Sequence, residues 1–234
     1  MSNYNNHHTV AVILAAGSGS RMGMDIPKQN ILLCGKDILT RSIDAFEACD
    51  LVDSIVVVAR PSDCDDVRQR LISHKTKVFD VIPGGATRVE SARLGFLSIP
   101  ESSSFVAFHD AARCLVTPEQ IAEVIRCAHK YSAATAATAS TDTLKRVEDG
   151  FIIETVPREH IYCAQTPQVF AYDLYKRAIE HDMWMGFTDD NSLVEHIGTK
   201  IRCVDIGRNN IKITTEEDLE YAEFLLKKRG DSYD

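Results

Sequence analysis

The sequence has no apolar run longer than Val10–Ala16, far short of the roughly 20 residues a helix needs to span a bilayer. The opening Met1–His8 is polar and lacks the basic-then-apolar order of a secretory signal, so the expected protein is soluble and cytoplasmic. Its seven cysteines, at positions 34, 49, 64, 114, 127, 163 and 203, include no C-x-x-C pair, and their odd number argues against a disulfide framework. Reduced thiols, most of them small core residues, fit better than a zinc site. Positive charge is in deficit: 26 Lys and Arg against 34 Asp and Glu leave a formal net charge of −8. A field of that sign repels nucleic acid and anionic membranes, so neither is an expected partner, and a phosphate-bearing ligand must be held by local groups. Aromatic residues are few at 7%, yet 44% of residues are apolar and 26% charged, proportions that exclude disordered, collagenous and coiled-coil classes. A chain of 234 residues buries enough surface to need no metal or disulfide staple.

What is present is an alternation. Thr9–Ala15 is a short β-branched run that ends in a Gly/Ser loop, as buried parallel strands do. Similar runs follow at Ser54–Ala59, Lys77–Ile82, Phe105–Phe108, Ala133–Ser140 and Lys200–Ile206. Between and after them lie helix-period segments at about 37–49, 63–74, 88–98, 117–130, 172–182, 189–197 and 215–228. The pattern predicts an α/β fold: a doubly wound, mostly parallel sheet with helices on both faces. Thr117-Pro118-Glu119-Gln120 offers an N-cap, a proline at the first helical position and a capping-box partner, and Thr214 with Glu217 is read the same way. One stretch breaks the rhythm. Leu144–Val147 and Phe151–Val156 flank Glu148-Asp149-Gly150, which predicts an inserted hairpin that acts as a lid or as an arm toward a partner. The expected organisation is a disordered tail over residues 1–8 and one domain over 9–230 that carries an arm at 141–158.

The loop after the first strand carries the chemistry. In Leu14–Lys28 the small residues leave backbone N–H groups bare, and an approaching phosphate chain meets no Cβ. Two common phosphate loops fail on spelling. A dinucleotide fingerprint needs a third glycine where Met22 stands, and the second strand ends at Val58-Ala59-Arg60 without an acidic ribose ligand. The P-loop needs Gly-Lys-Ser/Thr, which the loop does not contain. What remains is Arg21 and Lys28, two cations placed to fold over a triphosphate from two sides and to neutralise charge during phosphoryl transfer. A solvated loop whose cations do nothing is the competing interpretation.

The spelling L-A-A-G-S-G-S-R-M-G…P-K resembles the signature loop of sugar-phosphate nucleotidyltransferases. Further stretches are Gly84–Ser91, His109–Arg113, Asp142–Lys145, Gln165–Gln168, Thr188–Asp190 and Asn210–Thr214. In that order the set is similar to the 2-C-methyl-D-erythritol 4-phosphate cytidylyltransferase family of the non-mevalonate isoprenoid pathway, over about residues 9–228. The resemblance implies CTP as substrate, magnesium or another divalent cation as cofactor, and a homodimer joined through the arm. It places CTP on the loop Leu14, Ala15, Ala16, Gly17 and Gly19, with Arg21 and Lys28 gripping the triphosphate and stabilising the transition state, and Lys212 adding charge at the α-phosphate. Gly84, Gly85, Arg88 and Ser91 match the cytosine loop, although Gly84-Gly85 would also serve as a plain strand-to-helix turn. Asp110, beside Ala111 in the nucleotide site, matches the metal ligand, with a simple N-cap as its other reading. Arg113, Thr143, Arg158 and Thr166 match the residues that hold the acceptor phosphate and polyol, and Thr188 with Asp190 the remaining polyol contact. Thr188 equally suits an N-cap.

Three positions depart from the family pattern. Leu14 and Cys114 stand where proline is usual, and Asn209 where some members carry a second metal-binding aspartate. The last leaves Asp110 as the single carboxylate on the metal. Two alternatives stay open at this point: ribitol-5-phosphate cytidylyl transfer, and a nucleotide-binding protein without turnover.

Overall fold

The computed structural model describes residues 7–17, 31–180 and 186–230. Strand β1 (Thr9–Ala15) is buried along its whole length, which explains why its sequence is a continuous apolar run rather than an alternation. It lies at the centre of a seven-stranded sheet with β4 (Ser54–Ala59) and β5 (Val78–Pro83) on one side and β6 (Phe105–Asp110) on the other. Beyond β6 come β10 (Tyr162–Ala171), β7 (Ala133–Ala139) and β11 (Arg202–Asp205). Every pairing is parallel except those of β10, which runs antiparallel to both β6 and β7.

Alternate residues of β1 face two cores. Ala11 and Ile13 meet α1 (Ile38–Glu47), α2 (Cys64–Ile72) and α4 (Pro118–Tyr131) through Phe46, Leu71 and Ile125. Val10 and Val12 meet α3 (Arg88–Ser98), α5 (Tyr172–Glu180) and α6 (Asp190–His196) through Phe96, Tyr175 and Val194. Helix α3 comes close enough that a Cβ on Gly95 would stand 2.4 Å from Val12 Cγ1, so no larger residue fits there. A third cluster joins α7 (Glu216–Arg229) to the small hairpin β2 (Leu32–Leu33) and β3 (Lys36–Asp37). No helix among the described residues is long and apolar enough to cross a membrane.

The doubly wound, mostly parallel reading holds, with corrections. Strand β10 has no counterpart among the predicted strands because Pro167 lies within it, and a proline argues against a central strand. The ladder to β7 shifts register between Ala164 and Gln168, so the proline sits where no ladder N–H is required. Strand β6 runs on to Asp110, two residues past the expected end, and so carries that aspartate to the edge of the sheet. The last helix is capped by Thr215 with Asp218, not by Thr214 with Glu217: the Asp218 carboxylate accepts from both threonine N–H groups and from the Thr214 hydroxyl. Likewise Asp189, rather than Thr188, caps α6 by accepting from Ser192 N–H. Of the seven cysteines four are buried, Cys127 is half-buried, and Cys163 and Cys203 are exposed. The excursion is a hairpin, β8 (Leu144–Glu148) and β9 (Phe151–Val156), whose turn residues Asp149 and Gly150 have the positive φ values (48° and 82°) such a turn demands. His7 and His8, read as tail, are seated on the domain: His8 O accepts from Ser104 and Phe105 N–H, and the His7 ring meets Phe105.

Candidate active site

The carboxyl ends of β1, β4, β5 and β6 open on one edge of the sheet, the edge where open α/β sheets bind ligands. Ala15, Ala16 and Gly17 leave β1 there, and Ala111 N–H donates to Leu14 O at 3.0 Å, tying the ends of β1 and β6 together. Gly19, Arg21 and Lys28 lie outside the described residues. The Gly84 turn closes against the same edge: a Cβ on Gly84 would stand 2.4 Å from Ala16 Cβ and 2.9 Å from Ser91 Oγ. Only glycine lets the two loops approach so closely. The turn is pinned by Gly84 N–H to Ala59 O (2.8 Å), Gly85 N–H to Ser91 Oγ (3.1 Å), and the Ser91 hydroxyl to Thr87 O (2.9 Å).

Asp110 ends β6 between two cations. Arg88 Nε donates to its Oδ1 at 2.9 Å and Lys212 Nζ to its Oδ2 at 2.7 Å. Burial alone would raise the Asp110 pKa, but the Arg88 and Lys212 charges more than reverse this and hold the carboxyl well below the usual range. Burial likewise disfavours charge on Arg88, and Asp190 with Asp110 overcomes it, so the guanidinium is held firmly cationic. Arg88 Nη1 donates to Asp190 Oδ2 at 2.8 Å, and the Asp190 side chain is 0% exposed. Asp190 faces inward, toward Arg88 and Tyr175, and Thr188 is exposed.

The rest of the cluster is a frame of side chains on backbone. The Thr166 hydroxyl accepts from Asp110 N–H (3.1 Å) and lies 3.0 Å from His109 Nδ1. His109 is fully buried, and that burial drags its pKa down to about 3, so the ring is neutral. Arg113 donates to Asn210 O (2.9 Å) and Ala164 O (3.4 Å), while Asn210 Nδ2 donates to Gln165 Oε1 and Thr166 O, both at 2.9 Å. Ile213 N–H donates to Ala112 O, which fixes the segment that presents Lys212. Asn209 is exposed on that segment. Thr143 and Arg158 sit at the foot of the hairpin, where Arg158 donates to Thr141 O; among the described residues neither hydrogen-bonds nor ion-pairs with the Asp110 cluster. Gln168 and Tyr175 belong to the frame without having been singled out. Gln168 lies in a quoted stretch, whereas Tyr175 reads as one more apolar position of a helix.

A doubly wound sheet with a glycine-cleared cradle, an ionised aspartate and flanking cations at its carboxyl edge defines a nucleotide-transferring enzyme of the nucleotidyltransferase class. The comparisons narrow that class. Residues 9–228 match the family model IspD: 2-C-methyl-D-erythritol 4-phosphate cytidylyltransferase. The chain is similar to the 2-C-methyl-D-erythritol 4-phosphate cytidylyltransferases of Desulforamulus reducens (40% identical, 94% of this chain and 97% of that one) and Pelotomaculum thermopropionicum (38%, 94% of each). A solved 4-diphosphocytidyl-2C-methyl-D-erythritol synthase from Anaerococcus prevotii superposes with a TM-score of 0.84 at 29% identity, covering 94% of this chain and 99% of that one. The chain belongs to the 2-C-methyl-D-erythritol 4-phosphate cytidylyltransferase family. These relatives lend no support to the ribitol-phosphate reading or to a binder without turnover.

Proposed function

We infer that the chain transfers the cytidylyl group of CTP to 2-C-methyl-D-erythritol 4-phosphate and releases pyrophosphate, a step of isoprenoid precursor synthesis. Family membership along nearly the whole chain supplies the reaction. The structural observation that carries it is the Asp110 cluster beside the Gly84 cradle. An acceptor phosphate oxygen forms the new bond to the α-phosphorus as the bond to the bridging oxygen of the β-phosphate breaks, and pyrophosphate departs. Such a displacement asks the protein mainly to align the two partners and neutralise charge.

In this reading the β1 loop with Arg21 and Lys28 takes the triphosphate, the Gly84–Ser91 turn takes the base, and Lys212 serves the reacting phosphates. Arg113, Thr166, Thr143 and Arg158 hold the acceptor. The residues also fit a magnesium ion. Asp110 is ionised, and each of its oxygens keeps a lone pair beyond the one that Arg88 or Lys212 uses. No three His, Cys, Asp or Glu side chains converge among the described residues, so phosphate and water oxygens would complete the shell around this one carboxylate. Bound there, the ion would neutralise charge on the triphosphate.

The single domain over 9–230 and the dimer joined by the 141–158 arm belong to the same proposal. The hairpin leaves Phe151 75%, Ile152 65% and Ile153 50% exposed, apolar surface that a second copy would cover. Free thiols on both surface and core suit a cytoplasmic setting. The test is pyrophosphate release from CTP, ATP, GTP or UTP, each paired with methylerythritol phosphate or ribitol 5-phosphate. Release confined to CTP with methylerythritol phosphate is the expected result, and a preference for another pair would overturn the reading.

A further inference from the structure

Tyr175 lies outside every motif, on α5, with its ring in the core. Its ring centroid stands 5.0 Å from that of Phe96, 4.5 Å from Phe108 and 5.6 Å from Phe170. Phenylalanine would pack there as well, so packing does not account for the hydroxyl. That hydroxyl donates to Asp190 Oδ1 at 2.7 Å, and the other oxygen of the same carboxylate takes Arg88 Nη1 at 2.8 Å. Arg88 in turn spends Nε on Asp110. A four-residue line thus runs from the hydrophobic core to the carboxylate at the head of the site.

We propose that Tyr175 is a positioning residue for nucleotide binding, which holds Asp190 so that it shares Arg88 with Asp110 instead of capturing it. A carboxylate with both oxygens free takes a guanidinium two-pronged, the geometry the arginine fork favours. The phenol fixes the carboxylate through Oδ1 in an orientation where Oδ2 alone meets Arg88, which leaves Arg88 Nε for Asp110. The backbone of Asp190 is held separately, its N–H donating to Gln168 Oε1 at 3.1 Å, so the hydroxyl governs the side chain and not the helix. Without it, Asp190 closes on Arg88 with both oxygens and draws the guanidinium away from Asp110 and the cradle. This inference rests on the reading that Arg88 and Asp110 face the nucleotide.

The experiment compares wild type, Tyr175→Phe, Asp190→Asn and the double variant, using calorimetric CTP binding with magnesium and steady-state rates in both substrates. Tyr175→Phe should raise the Kd and the KM for CTP three- to tenfold and leave the KM for the acceptor within twofold, a split that loosened packing would not produce. In the Asp190→Asn background the same change should add less than twofold. An unchanged CTP Kd in Tyr175→Phe, or an equal loss in both backgrounds, overturns the inference. Should Tyr175→Phe fail to fold, Asp190→Asn alone carries the test, and it must weaken CTP while sparing the acceptor. A wild-type chain that binds no CTP would instead sink the functional reading itself.

Discussion

Replacing Asp110 by asparagine separates turnover from stability, because the same carboxylate is read as a metal ligand and is also the anion between Arg88 and Lys212. Turnover should fall by about 10²-fold or more, as for loss of a group that acts on developing charge. The pH dependence has a definite sign. The folded-state pKa of Asp110 lies below the unfolded value of about 4, so its contribution to stability is full above that value and fades as the pH falls beneath it. Urea midpoints taken between pH 6 and pH 3 should therefore drop more steeply for wild type than for Asp110→Asn below pH 4. His109 acts in a higher window. Its folded pKa of about 3 lies beneath the unfolded value of about 6.5, so stability is lost as the pH falls from 6.5, by up to about 1.4 kcal/mol per unit. A His109→Asn variant should flatten the curve between pH 6.5 and 4; an unchanged slope would show that the buried ring takes up no proton on unfolding. Gly84 makes a steric prediction. A methyl group there meets Ala16 at 2.4 Å, so Gly84→Ala should cost about 1–3 kcal/mol and weaken the CTP-induced rise in melting temperature.

Among the elements, the strands buried on both faces were the most legible. Val56 and Val57 of β4 are both fully buried, so the apolar run is unbroken and its boundaries match the prediction residue for residue. Strand β10 is hard to read because Pro167 interrupts it and because its exposed start, Tyr162–Ala164, runs into a stretch buried without alternation, Gln165–Phe170, which leaves no period-2 signal. The candidate site divides along the same line. Glycines and cations in loops advertise themselves, and Gly84, Arg88, Asp110, Ser91, Thr166 and Lys212 do converge. The resemblance reads Asp190 as a polyol contact, and nothing in a polar stretch marks the burial of its carboxylate. Its side chain is held by Tyr175 and Arg88, partners that come from other elements. The hairpin carries a prediction at this scale. Phe151 and Ile153 are 75% and 50% exposed, so charging them as Phe151→Glu with Ile153→Glu should leave the melting temperature of the subunit nearly unchanged. If two copies pair through this face, sedimentation should show a dimer for wild type and a monomer for the charged variant; a variant that stays dimeric would place the interface elsewhere.

For the whole molecule, the question is whether one chain contains a complete site. Thr143 and Arg158 are read as acceptor-binding yet make no bond to the Asp110 cluster of their own chain among the described residues, while the hairpin above them presents an apolar face. A two-fold pairing that covers this face would bring each arm to the other subunit, so that every site combines Asp110 of one chain with Arg158 of its partner. Both Asp110→Asn and Arg158→Ala should then be nearly inactive as homodimers. When the two are mixed and allowed to exchange, half of the dimers become hybrids by chance pairing, and in each hybrid one site collects both lesions while the other is wild type. Activity should return to about a quarter of the wild-type value, as two-fold symmetry requires. The measurement is pyrophosphate release after exchange, with hybrid formation verified by native mass spectrometry. If hybrids form and activity stays at the level of the parents, Arg158 serves the site of its own chain.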